Sequence, residues 1–141
     1  MISSKFKFCY VDTNIVISRI APDRNKYMVS QQLDIARAMG FTFLTSDLTR
    51  LELSRFLHRI NDDQSSSTTF ENHIRDALAG IELIRLNTKT LESAARFPFP
   101  HLGSLDSIHL ASAHMVRATH FLTSDRQLIN ACNELGIATS F

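Results

Sequence analysis

Short apolar runs with strand character alternate with stretches of helical character along the chain. That alternation restricts the fold more than any single motif. "FCYV" at 8–11, "FTFLTS" at 41–46, "IELIRL" at 81–86, "HFLTS" at 120–124 and "IATSF" at 137–141 read as strands. Between them helices are expected over 13–20, 27–39, 47–60, 70–79, 88–96, 104–117 and 125–135. Gly40 and Gly136 follow two of these helices, where glycine commonly ends a helix. Strands separated by helices pair in parallel. The expected class is therefore α/β, with a central parallel β-sheet flanked by α-helices, in one domain over 1–141. "NDDQSSSTT" at 61–69 is the most loop-like stretch and is too short for a domain linker. Pro98 and Pro100 keep "FPFPHLG" at 97–103 out of regular helix.

Sheets of this kind bind ligands beyond the carboxyl ends of their strands. Two acids stand at such ends. Asp12 closes the first strand in "FCYVDTN" and Asp125 closes a later one in "FLTSD". Each also suits the N-cap of the helix that follows, because its carboxylate accepts from free helix N–H groups. Asp106 lies in the first turn of the 104–117 helix, with Ser104 as the expected N-cap. The helix dipole favours an acid there. That helix is otherwise apolar and small-sided, from Leu105 through Ile108, Leu110 and Ala113 to Val116, so it reads as buried. Glu52 falls at the edge of the apolar stripe Leu53, Phe56, Leu57 and Ile60. A surface ion pair with Arg55 or Arg59 would explain it equally well, at ~0.5 kcal/mol.

Taken together, the four acids can all converge above one edge of a parallel sheet. Carboxylates crowded there repel one another, and burial raises their pKa values. A divalent ion with oxygen ligands, Mg²⁺ or Mn²⁺, removes the conflict and leaves room for phosphate oxygens. Activation of water for an in-line phosphodiester displacement is the chemistry such a centre supports. The net charge of +1 says little, since a balanced total can hide an acidic pocket ringed by basic residues. No apolar run approaches the ~20 residues of a membrane span, and no signal-peptide stretch follows Lys5 and Lys7. A soluble, cytoplasmic protein is expected. Cys9 and Cys132 form no zinc spacing and read as small buried residues in a reducing compartment.

Four blocks in order, "YVDTNIVI", "TRLELSR", "LGSLDSIHLASA" and "FLTSDRQL", resemble those of the PIN-domain nucleases, and within them the VapC-type toxins of toxin–antitoxin pairs. The resemblance spans residues 10 to 137, and the block around Asp106 is its most specific part. It implies a metal-dependent endoribonuclease in which Asp12, Glu52, Asp106 and Asp125 bind Mg²⁺ or Mn²⁺. Thr123 and Ser124 beside the last acid, and Thr13 and Asn14 after the first, are the implied supporting residues. It also implies an RNA substrate, a homodimer, and an antitoxin whose C-terminal segment covers the cleft.

Basic residues flank the acids, and Arg19, Arg55, Arg59 and Arg126 are candidates for RNA contact. His58, His101, His109 and His114 fit no metal spacing; His109 and His114 are expected as satisfied core or interface histidines. A phosphatase using Asp12 as nucleophile would want an acid where Asn14 stands and a lysine where the later block offers Arg126. No Gly-rich nucleotide motif occurs. The remaining alternatives are an RNA-processing nuclease that is not a toxin, and a catalytically dead module binding nucleic acid or a partner. A binding module gains nothing from four clustered acids.

Overall fold

The computed structural model describes residues 6–21, 26–61 and 67–141. Its strands are β1 (Lys7–Val11), β2 (Phe41–Ser46), β3 (Ile81–Ile84) and β4 (His120–Leu122). Its helices are α1 (Thr13–Ser18), α2 (Lys26–Ala38), α3 (Asp47–Asn61), α4 (Ser67–Ala77), α5 (Thr88–Ala95), α6 (Ser104–Met115) and α7 (Arg126–Glu134). The strands form one sheet in the order β3-β2-β1-β4, and every pairing is parallel.

Side-chain alternation along β1 divides the core in two. Cys9 and Val11 point to one face with Phe43 and Leu122, where Ile15, Val16, Leu33, Leu53, Leu57 and Ile74 from α1 to α4 cover them. Tyr10 points to the other face with Phe121, beneath Leu110 and Ala113 of α6 and Leu128, Ala131 and Cys132 of α7. Helices therefore cover both faces, and near-continuous apolar strands such as "FCYV" follow from that double burial.

The chain leaves β1 toward β2 and then β3, and only afterwards returns to place β4 on the opposite side of β1. The switch point lies between β1 and β4. The Asp12 amide donates to the Leu122 carbonyl at 3.0 Å, pinning the end of β1 to the end of β4.

Several expectations need correction. The last run, "IATSF", is not a strand; only Ala138 bridges to His120. Its length, with Gly136 just before it, leaves room for one pairing. Within 61–69, Asn61 still belongs to α3 and α4 starts at Ser67, while 62–66 lie outside the described residues. The N-cap of α6 is Gly103, with no side-chain cap bond, and Ser104 is already helical.

Candidate active site

Three of the four acids stand where helices begin at the carboxyl edge of the sheet. Asp12 is the N-cap of α1, its Oδ1 accepting from the Thr13 amide at 2.8 Å. Asp125 is the N-cap of α7, its Oδ1 accepting from the Leu128 amide at 3.0 Å. Asp106 lies in the first turn of α6. Capping and clustering are thus two results of one arrangement. The free N–H groups and positive dipole ends of these helices offset part of the repulsion between the acids.

Asp12 is the most enclosed, at 4% exposure. Its Oδ2 takes the Thr123 hydroxyl at 2.7 Å, and Thr123 Oγ1 accepts in turn from the Asp125 amide at 3.0 Å. That threonine ties the first and last acids together. Burial pushes the Asp12 pKa up, more than His109, Thr123 and the Thr13 amide bring it down. Asp106 is also raised, first by burial, then by the charges of Asp12 and Asp125, with Glu52 adding less. Those charges place Asp106 within electrostatic reach of all three other acids.

Glu52 is not engaged in a surface ion pair. Its Oε1 accepts from Thr13 Oγ1 at 2.7 Å and from His109 Nε2 at 2.6 Å. Among the described residues no ion pair joins it to Arg55 or Arg59. Burial would raise its pKa, but the bonds from His109 and Thr13 outweigh burial and hold it below the usual carboxylate range. His109 belongs to this cluster, although sequence reasoning expected it as a satisfied core or interface histidine. It is 1% exposed, and its Nε2 also lies 3.9 Å from Asp12 Oδ1. Its other nitrogen, Nδ1, is 2.7 Å from the Tyr10 hydroxyl, whose oxygen also lies 3.0 Å from Ser46 Oγ. Burial pushes the Tyr10 phenol up to about 12, so it keeps its proton at neutral pH.

A signal for these residues existed in the spacing. His109 is three residues after Asp106 and shares its helix face. Tyr10 lies on β1 two residues before Asp12, which directly follows the strand. Beneath them, Thr45 donates to the Val11 carbonyl at 2.7 Å and hydrogen-bonds to Thr49, whose hydroxyl is 3.2 Å from Thr13 Oγ1.

The remaining candidates are placed less centrally. Asn14 is exposed, and its carbonyl accepts from Ser18. Ser124 is exposed and lines a cavity of about 190 Å³ with Ile15, Ser18, Met28, Gln32 and Thr123. Arg55, Arg59 and Arg126 are exposed, and Arg126 directly follows Asp125. Arg19 instead donates through Nη1 to the carbonyls of Ala77 and Ala79 at 2.8 Å each, just before β3 begins. That is the amino edge of the sheet, away from the acids.

In charge and donor chemistry the four carboxylates fit a hard divalent cation, which takes oxygen ligands. Among the described residues, however, no group of three or more His, Cys, Asp or Glu side chains is arranged to hold a metal ion as it stands. As they stand, Glu52 Oε1 is taken by Thr13 and His109, and Asp125 Oδ1 by its own helix.

A family model described as PIN domain matches residues 9–134, and the chain belongs to that family. Among curated proteins it is 28% identical to Ribonuclease VapC47 of Mycobacterium tuberculosis (strain CDC 1551 / Oshkosh), covering 93% of this chain and 94% of that one. It is 26% identical to Ribonuclease VapC35 of the same strain, over 92% and 93% of the two chains. Among solved structures it resembles VapBC2 from Rickettsia felis bound to a promoter DNA fragment, with TM-score 0.68, 14% identity, and 94% and 96% coverage. VapC20 of Mycobacterium tuberculosis, a toxin that cleaves the sarcin-ricin loop, superposes with TM-score 0.65 at 15% identity over 87% and 94%. A toxin–antitoxin complex from Klebsiella pneumoniae gives 0.63 at 21% over 86% and 89%.

Proposed function

We propose that this protein is a metal-dependent endoribonuclease and the toxin of a toxin–antitoxin pair. The observation that supports the reading is the hydrogen-bonded set joining Asp12, Thr123 and Asp125, and Glu52 to Thr13 and His109, with Asp106 in the first turn of α6. Membership of the PIN family, and full-length relatives named as ribonucleases, support RNA as the substrate.

Asp12, Glu52, Asp106 and Asp125 are the residues that would hold Mg²⁺ or Mn²⁺. When bound, such an ion supplies Lewis acidity toward water and phosphate and neutralises charge in the transition state. The chain's own contribution is placement. Thr123 and the Thr13 amide fix the Asp12 carboxylate, and Thr123 sets the turn that carries Asp125. Arg126, and Arg55 and Arg59 on α3, are exposed cations for the RNA backbone, which the acids alone would repel. Domain extent over 1–141, dimerisation, an antitoxin partner and a cytoplasmic location belong to the same reading. Among the described residues no helix is long and apolar enough to cross a membrane.

The test is cleavage of RNA with Mg²⁺ or Mn²⁺, with a chelator, and with Asp106→Asn. We expect strand breaks only with the ion, and a fall of about 100-fold or more in the variant, the size expected when an interaction of the reacting centre is removed. A near wild-type rate for the folded variant overturns the site. The genomic neighbour offers a separate check on the toxin half: a co-expressed product that binds and silences the protein.

A further inference from the structure

Glu52 is the acid whose geometry is least determined by the backbone. Asp12 and Asp125 are caps, and Asp106 is held to the first turn of α6, a helix buried only over His109–Ala113 rather than along its length as its composition suggested. Glu52 has a longer side chain, sits mid-helix on α3, and its side chain is 29% exposed. Only its partners decide where its oxygens lie. Both bonds it accepts fall on the same atom, Oε1, from Thr13 and His109. Among the described residues Oε2 accepts none.

The geometry points to His109 as a positioning residue that, with Thr13, anchors Glu52 Oε1 and so fixes the carboxylate that would serve the ion. Hydrogen placement follows from the partners. An ionised Glu52 only accepts, so Nε2 of His109 carries the proton it donates. Nδ1 then faces the Tyr10 hydroxyl at 2.7 Å, and Tyr10 is fixed by Ser46 at 3.0 Å and by edge packing against the imidazole. Tyr10 is wholly buried, stacked on Phe121 with ring centres 5.0 Å apart. A rigid core aromatic is thereby linked through one imidazole to a flexible carboxylate. Partners that orient a ligand in this way typically matter by about 10- to 100-fold in metal affinity.

This inference rests on the proposed metal site, so its test separates the two. Mn²⁺ affinity is measured by calorimetry without RNA, for the wild type, His109→Ala, His109→Gln, Tyr10→Phe, Glu52→Gln and the His109→Ala/Glu52→Gln pair. Thermal unfolding is followed in parallel. We expect His109→Ala to bind Mn²⁺ about tenfold more weakly. His109→Gln, whose amide can donate from the position of Nε2, restores part of that loss. The double variant binds little worse than Glu52→Gln alone, because the 2.6 Å bond to Glu52 is much closer than the 3.9 Å approach of His109 to Asp12. Tyr10→Phe shows a smaller loss in the same direction and keeps the test open if His109→Ala does not fold.

A lowered melting temperature with wild-type Mn²⁺ affinity in the folded histidine variants overturns the positioning role while the metal site stands. Additive losses in the double variant overturn it too. A wild type that binds no Mn²⁺ and cuts no RNA overturns both.

Discussion

Asp12 caps α1 through Oδ1 while its Oδ2 takes the Thr123 hydroxyl, so neither oxygen is left to solvent. Asp106 has no comparable support, and burial together with Asp12 and Asp125 raises its pKa. A raised carboxyl pKa means the folded state holds its proton more tightly than the unfolded chain. The stability it allows is complete below the unfolded value and declines as pH rises through that value to the folded one. Asp106→Asn removes the decline. With chelator present, the variant is expected to melt about 2 °C above wild type at pH 7, a small effect because solvent screens this part-exposed group. The gain should vanish below about pH 4, where the unfolded carboxyl is protonated. Scans at several pH values check both the sign and the window. The thiols differ in kind. Burial pushes Cys9 and Cys132 up to about 12, and neither side chain reaches solvent. A thiol reagent at neutral pH should label neither until denaturant is added, as mass spectrometry would read directly.

Helix ends decide how the elements hand the acids to the site. α6 ends with Arg117 in the left-handed region at φ 58, its amide bonded to His114 and the Ala118 amide to Ala113. α7 ends with the same pair of bonds, but places Gly136 at φ 75. A side chain at such a position costs about 1 kcal/mol relative to glycine. Arg117→Gly is therefore expected to raise stability by up to about 1 kcal/mol, with RNA cleavage unchanged because α6 meets the acids at its other end. Chemical denaturation reads the gain. α7 is fixed by its buried face, where Leu128 is fully enclosed. Leu128→Ala should cost about 3 kcal/mol. The amide that Asp125 caps is backbone and survives in alanine, so Mn²⁺ binding should change little at temperatures where the variant remains folded.

At the scale of the molecule, the carboxyl edge of the sheet carries Asp12 and Asp125, with the exposed Arg126 directly after the latter. An acidic centre of this kind attracts a guanidinium, which binds a carboxylate through two parallel bonds. A partner that inserts an arginine there competes with the ion. Inhibition by the partner is expected to weaken as Mn²⁺ rises and to fall when that arginine becomes alanine, which an inhibition titration at several Mn²⁺ concentrations measures. Ile15 and Leu57 are buried in the core, whereas Met28 is exposed and lines the 190 Å³ cavity.

The sequence by itself determined the elements and their class. Apolar runs, glycine stops and an acid after a strand are local signals, and local propensity and burial acted on them in the same direction. For that reason Asp12, Asp106 and Asp125 were legible. The bounds of α4 and the fate of "IATSF" were not, because a helix start and a final pairing depend on what lies alongside. Only the tertiary structure decided the partner of Glu52. Its neighbours Arg55 and Arg59 are near in sequence, but His109 and Thr13 come from α6 and α1 and bond it directly. Likewise, Tyr10 and His109 are each explained in sequence as core. Their hydrogen bond joins residues 99 positions apart, and no periodicity along the chain encodes that meeting. It arises because β1 lies beneath α6, with the imidazole between a buried phenol and a carboxylate that both need a partner.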